Sequence, residues 1–257
     1  MIKFRLLQTG HNTAAFNMAL DEVLINRIKN GTSLPSLRFY GWKPASISLG
    51  YFQSLEAEID EKRCAELGID IVRRQTGGGA VFHDQEITYS IHIPMALDLV
   101  PKKVLESYEK ICQGIINGLA RINLEAKFMP LNDIIVGGQK ISGNAQTRKQ
   151  GIILQHGTIL KAVDVDKMFD ILKVPDEKMK GKLISDIKQR VTSVDLHSGA
   201  KFSFQDVVDT LILGFKQAFP EVEFCEDSLT DAEKADTEIL ASQKYSTKAW
   251  NYHRQFI

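Results

Sequence analysis

From Thr13 onward, apolar residues recur at intervals of three and four (Phe16, Ala19, Leu20, Val23, Leu24, Ile28), and the pattern stops at Asn30-Gly31. That spacing gathers them on one face of a helix. Ahead of it, Met1 to Gly10 simply alternates polar and apolar positions. Short β-rich runs follow: Leu37 to Tyr40, Ser46 to Tyr51 and, after a brief helix at Asp60 to Leu67 closed by Gly68, Ile69 to Arg74. Ile87, Tyr89, Ile91 and Ile93 then alternate with Thr88, Ser90 and His92. This predicts a strand with one buried face and one polar face.

Leu105, Tyr108, Ile111, Cys112, Ile115, Leu119 and Ile122 form the stripe of a long helix. Beyond it, Ile134 to Val136 and Gln139 to Ile141 flank Gly137-Gly138, a two-residue hairpin signal. Gly151 to Leu154 and His156 to Leu160 continue the strand pattern. A centre made mostly of hairpins implies antiparallel pairing, with helices gathered on one side in an α+β arrangement. After Asp164 come a short helix to Leu172, a polar Lys-rich stretch from Lys178 to Arg190, and two helices opened by Ser203-x-x-Asp206 and Thr230-x-x-Glu233. Glu221 to Cys225 lies between those two helices as a short strand, and residues from about 195 onward read as a helical tail.

Composition narrows the class without identifying it. The chain has 257 residues, 44% hydrophobic and 25% charged, as in ordinary globular proteins, and one domain is the expectation. With 32 Lys plus Arg against 32 Asp plus Glu, no overall basic field exists to attract nucleic acid or an anionic membrane. Cys64, Cys112 and Cys225 are odd in number and lie in no C-x-x-C pair, and no leader or membrane span is evident. A cytoplasmic setting is expected.

Two clusters stand out chemically. Arg73-Arg74-Gln75-Thr76-Gly77-Gly78-Gly79-Ala80-Val81-Phe82-His83-Asp84 sets three glycines between strand-like runs, either as a tight turn or as a loop whose amides meet an anion. It is neither a P-loop nor a dinucleotide fingerprint. In the second, Asn132-Asp133 precedes Lys140-Ile141-Ser142-Gly143-Asn144-Ala145. Taken alone, Lys140 reads first as a solvated edge lysine, with a pocket cation as the alternative, and Asp133 reads first as closing an Asx-turn, with a Mg²⁺ ligand as the alternative. His83, His92 and His156 lie on separate segments without metal-ligand spacing, and Cys112 sits on an apolar helix face.

In this order and spacing, Arg73-Arg74-x-x-Gly-Gly-Gly-Ala-Val-Phe-His-Asp, Asn132-Asp133, Lys140-Ile-Ser-Gly and Gln155-His156-Gly157-Thr158-Ile159-Leu160 resemble the lipoate-protein ligase A family, within the wider group of biotin and lipoate ligases and octanoyl transferases. Arg38-Phe-Tyr-Gly-Trp, Ser48-Leu-Gly-Tyr-Phe-Gln, Leu172-Lys-Val-Pro-Asp-Glu-Lys and Lys244-Tyr-Ser-Thr extend the likeness over almost the whole chain. The resemblance implies a class II synthetase and biotin ligase type of α/β fold, a mixed and mainly antiparallel sheet flanked by helices. It also implies activation of lipoate by ATP with Mg²⁺, then transfer from lipoyl-adenylate to a lysine of an apo carrier, such as glycine-cleavage H protein or a 2-oxoacid dehydrogenase E2 subunit. Carried over by position, Arg74, Gly79, Ala80, Val81 and Phe82 would hold the nucleotide, and Asp133 the Mg²⁺ or phosphate. Lys140 would contact lipoyl carbonyl and phosphate as the catalytic group, while Gly77, Gly78, His83, Gly143, Ala145 and His156 would line the acyl site.

Two alternatives accompany that reading: an octanoyl transferase of the same fold, drawing on an acylated carrier protein without ATP, and a non-catalytic lipoyl-binding adaptor. In the cysteine-dependent transferases, an inserted loop before Asn132 carries the nucleophile, whereas this chain passes directly through Lys127-Phe-Met-Pro-Leu-Asn132. An ATP-dependent ligase is therefore expected. Set against the family, the length leaves no room for the accessory C-terminal domain of many such ligases, so a separate small accessory protein is a further expectation.

Overall fold

A computed structural model describes residues 1–173 and 180–256; part of the Leu172-to-Lys178 motif and the start of the Lys-rich stretch lie outside them. The chain opens with β1 (Ile2–Asn12) and α1 (Ala14–Lys29), whose N-cap Thr13 accepts a hydrogen bond from the Phe16 amide. Then come β2 (Ser36–Trp42), β3 (Ser46–Leu49), α2 (Leu55–Glu58), α3 (Glu61–Glu66), β4 (Asp70–Arg73), β5 (Val81–His83) and β6 (Glu86–Pro94). The middle of the chain supplies α4 (Val104–Ala120), β7 (Ala126–Met129), β8 (Asp133–Val136), β9 (Gln139–Lys149) and β10 (Ile152–Leu160). It finishes with α5 (Val165–Ile171), α6 (Lys180–Arg190), α7 (Val194–Ser198), α8 (Phe204–Ala218), β11 (Val222–Asp227), α9 (Asp231–Leu240), one π-helical turn (Ala241–Tyr245) and α10 (Lys248–His253).

Eight strands form one sheet in the order β11-β1-β2-β6-β10-β9-β8-β7, and a small second sheet runs β4-β3-β5. In the large sheet β1 runs parallel to both β11 and β2, and the remaining pairs are antiparallel. The architecture is thus mixed α/β and mainly antiparallel, as expected. The helices, however, cover both faces of the large sheet. On one face Tyr89, Ile91 and Phe39 pack against Ile111, Ile115 and Phe215 of α4 and α8. On the other, Leu20, Leu24 and Ile28 of α1 meet Leu7, Ile152 and Leu154.

This second layer changes the reading of β6. Its alternation does not separate core from solvent, because Thr88, Ser90 and His92 are as buried as their apolar neighbours. The polar residues face other polar groups beneath α1. Ser90 Oγ donates to Asp21 Oδ1 at 2.8 Å, and His92 Nδ1 lies 3.1 Å from Ser36 Oγ. The Lys-rich stretch likewise folds, where described, as α6. No described helix is long and apolar enough to cross a membrane.

Candidate active site

A cavity of about 480 Å³ opens between the two sheets, with α5 and α6 closing one side. The triple-glycine loop forms one wall. Gly78 adopts φ +99°, open to glycine at little cost, and its carbonyl approaches Gly50 so closely that a Cβ there would lie 1.9 Å from it. Loop and β3 therefore dock backbone to backbone. Arg74 fastens the loop from within: Nη2 donates to the carbonyls of Gly77 and Gly79, Nη1 to the carbonyl and Oγ of Ser48, and Nε to Thr76 Oγ1. Every donor of Arg74 is spent on the chain itself, which makes the residue a clamp for the loop. Burial draws its guanidinium down to about 10.

Arg73, just before the loop, is held by the C-terminal segment. Its Nε and Nη2 donate to the Asn251 carbonyl at 2.9 and 2.6 Å, and Nη1 to the carbonyls of Gly50, Tyr51 and Gln53. Trp250 Nε1 in turn donates to the Arg73 carbonyl, and Gln75 Nε2 to the Tyr245 hydroxyl.

Lys140 reaches the cavity from the opposite wall, by way of a bulge. Ile134 pairs with Ser142 but Ile135 pairs with Lys140, so Ile141 is the extra residue on β9. Strict alternation would place residues 140 and 143 on opposite faces. The bulge puts Lys140, Gly143 and Asp133 on one face, and a methyl on Gly143 would come within 3.0 Å of the Lys140 Nζ. Ile141 meanwhile stays in the core. Nζ is 2.7 Å from Asp133 Oδ1, and the strand is braced where the Thr192 amide donates to the Lys140 carbonyl. Asp133 brings a single carboxylate, already paired. No group of three His, Cys, Asp or Glu fit to hold a metal occurs among the described residues.

His156 and His83 both border the cavity, each with its role set by a buried carboxylate. His156 Nδ1 lies 3.4 Å from Asp21 Oδ2 and Nε2 lies 2.7 Å from Thr76 Oγ1. Asp21 also pairs with the fully buried Arg38 at 3.0 Å. Burial pushes the Asp21 carboxyl up, but its hydrogen bond with His156 and the charges of Arg38, His92 and His156 outweigh this and hold it at about 2. His83 Nε2 lies 2.8 Å from Ser48 Oγ, its Nδ1 bonds Glu86, and its ring stacks on Trp42 at 3.9 Å. Gly77, Gly78, Gly79, Ala80, Val81, Phe82, Gly143 and Ala145 line the cavity. Asp21 and Glu86 had no signal in the sequence, and Arg38 and Ser48 only opened motifs of the resemblance with no role attached. They come from four segments whose meeting only the fold reveals. The cysteines stay outside: burial pushes Cys64 up to about 11 and Cys112 up to about 12, Cys225 is on the edge strand β11, and none of the three borders the cavity.

The polar layer under α1 makes stability sensitive to acid. Burial lowers the His92 imidazole to about 4 from an ordinary 6.5. As pH falls, the unfolded chain therefore takes up the proton first, and stability present above 6.5 is lost progressively down to about 4, by roughly 3 kcal/mol. Asp21, depressed from 3.8 to about 2, adds a second loss below 3.8. Urea midpoints are expected to decline steadily from neutral pH to about pH 4, and His92→Gln to flatten that decline. A wild-type midpoint constant across this window would refute the assignment.

Comparison with known proteins identifies the family. An octanoyltransferase LipM from Anoxybacillus flavithermus is 35% identical, with 98% of each chain covered. One from Staphylococcus epidermidis is 34% identical over 98% of this chain and 99% of its own. Among solved structures, a bi-partite lipoate protein ligase from Thermoplasma acidophilum superposes with a TM-score of 0.89 at 30% identity, covering 100% of this chain and 99% of that one. A lipoate-protein ligase A bound with ATP gives 0.82 at 29%, over 98% and 99%. The end-to-end likeness to octanoyltransferases at 33–35% overturns the expectation of an ATP-dependent ligase. That expectation rested on a missing cysteine loop. Lack of a thiol excludes a cysteine thioester but leaves acyl transfer by another route open. Residues 13–216 match the model of the lipoyl protein ligase A/B catalytic domain, and the chain belongs to that family.

Proposed function

We propose that the protein moves an octanoyl or lipoyl group from a thioester on a carrier protein to the lysine ε-amine of an apo lipoyl-carrier domain, without ATP. The observation that carries this reading is the full-length similarity to octanoyltransferases. The chemistry needs no nucleotide, because a thioester carbonyl lacks the resonance stabilisation of the amide it becomes. The cavity offers an apolar wall of Met18, Trp42, Leu160, Val163, Met168 and Phe169 for the acyl chain. Lys140 supplies a positive charge at the rim to stabilise the oxyanion formed when the carbonyl is attacked. Arg74 and its loop keep that wall in place.

The test supplies an octanoyl-carrier protein thioester and an apo lipoyl domain, with no nucleotide, and follows the domain's intact mass. A gain of one octanoyl group is expected. No gain under these conditions, together with a gain from free octanoate or lipoate and ATP accompanied by pyrophosphate, would overturn the proposal.

A further inference from the structure

We propose that Ser48 is the acyl-accepting nucleophile, activated by His83 and Glu86, so that transfer passes through an ester on Ser48. The inference rests on the thioester-transfer reading above and supplies the nucleophile that reading lacks, since no cysteine borders the cavity.

The geometry is that of a serine with its base and orienting acid. Ser48 Oγ is 2.8 Å from His83 Nε2, and His83 Nδ1 is hydrogen-bonded to Glu86 Oε1. A carboxylate only accepts, so the imidazole proton resides on Nδ1 and Nε2 is left to take the Ser48 proton. Glu86 is fixed in turn by the Thr88 hydroxyl, which donates to it at 2.9 Å and accepts from Trp42 Nε1 at 2.8 Å. The Trp42 ring, 3.9 Å from that of His83 and inclined by 15°, fixes the imidazole plane and presents a π face to the imidazolium. Arg74 Nη1 is 3.1 Å from Ser48 Oγ and places a permanent cation beside the developing alkoxide. Ser48, His83 and Trp42 border the same cavity as Lys140.

The step balances without further reactants. Ser48 Oγ bonds to the thioester carbonyl carbon as its proton passes to His83 Nε2. The C–S bond breaks and the carrier thiolate leaves with that proton. The neutral lysine amine of the acceptor then attacks the ester, gives its extra proton to His83, and the C–Oγ bond breaks as Ser48 recovers a proton from the imidazolium. Glu86 is a positioning residue throughout.

The experiment mixes the full chain with an octanoyl-carrier protein thioester in the absence of acceptor, quenches in acid, and maps the adduct by intact mass and peptide digestion. One octanoyl group is expected on the peptide containing Ser48, resistant to the neutral hydroxylamine that cleaves thioesters. Ser48→Ala, with its thermal midpoint checked, is expected to lose the adduct and to lower transfer by roughly 10²-fold or more. Ser48→Cys is expected to restore an adduct, now hydroxylamine-sensitive. An adduct on another residue, or folded Ser48→Ala transferring at the wild-type rate, would overturn the serine while leaving thioester transfer intact. A wild-type chain that transfers nothing from the thioester would overturn both.

Discussion

Replacing Lys140 by alanine is expected to lower acyl transfer about 10²- to 10³-fold, the loss typical of removing one donor to a developing oxyanion. Stability should scarcely change. The Lys140 and Asp133 side chains are 42% and 32% exposed, and an ion pair so open to water contributes little to folding. Lys140→Arg should recover only part of the rate, because a planar fork does not replace a compact ammonium in the same space over Gly143. Single-turnover transfer to an apo lipoyl domain, read alongside thermal unfolding, separates the two effects. Transfer by Lys140→Ala within a few-fold of wild type would remove the proposed role.

The same lysine shows where sequence reasoning succeeds and where it stops. Gly137-Gly138 marks the hairpin correctly, because two positive-φ positions in a row suit few other residues, and both glycines adopt φ values of +57° and +83°. The face Lys140 shares with Gly143 depends on a bulge at Ile141, three residues beyond that turn, and alternation cannot predict its own interruption. The helix over Ala14–Lys29, the capping boxes at Ser203 and Thr230, and the loop around Gly78 are local patterns and are legible for that reason. The partnership of Ser48 with Glu86, or of Asp21 with Ser90 and His156, joins residues on different strands and helices. Ser90 and His92 mislead for a related reason. Polar residues alternating on a strand mark a solvated face only if no second layer of polar groups covers it, and α1 brings one. The choice between ligase and transferase was illegible because a missing cysteine excludes one nucleophile and says nothing about a hydroxyl elsewhere.

Replacing Arg38 by alanine is expected to cost about 3–5 kcal/mol of folding stability, the loss typical of breaking a buried ion pair. Arg38 is fully buried and pairs with Asp21 at 3.0 Å, while also donating to the Asn17 side chain and carbonyl. Its removal leaves the buried Asp21 carboxylate without its guanidinium, beside only the Ser90 hydroxyl and the imidazoles of His92 and His156. Adding Asp21→Asn to the variant should therefore restore part of the loss, whereas two independent residues would show additive damage. Denaturant titrations of the two single variants and the double variant measure that coupling, and strict additivity would disprove it. Function should suffer with stability, since Asp21 also sets the orientation of His156 against Thr76 at the base of the glycine loop.

The tie between Arg73 and the C-terminal segment sets an order of assembly. During synthesis the strands from β1 to β11 leave the ribosome before Trp250 and Asn251, so both sheets have their partners while Arg73 still lacks the groups on those two residues that hold it. A nascent chain in that interval possesses the walls of the cavity with one of them untethered. Arg74 already braces the glycine loop from within, and the restraint on the strand leading into it, through Arg73, is completed only by Trp250 and Asn251 of α10. A premature stop before Trp250 would thus yield a chain with its sheets formed and the approach to its loop untied at Arg73, a fault more visible to an activity assay than to a spectrum of secondary structure.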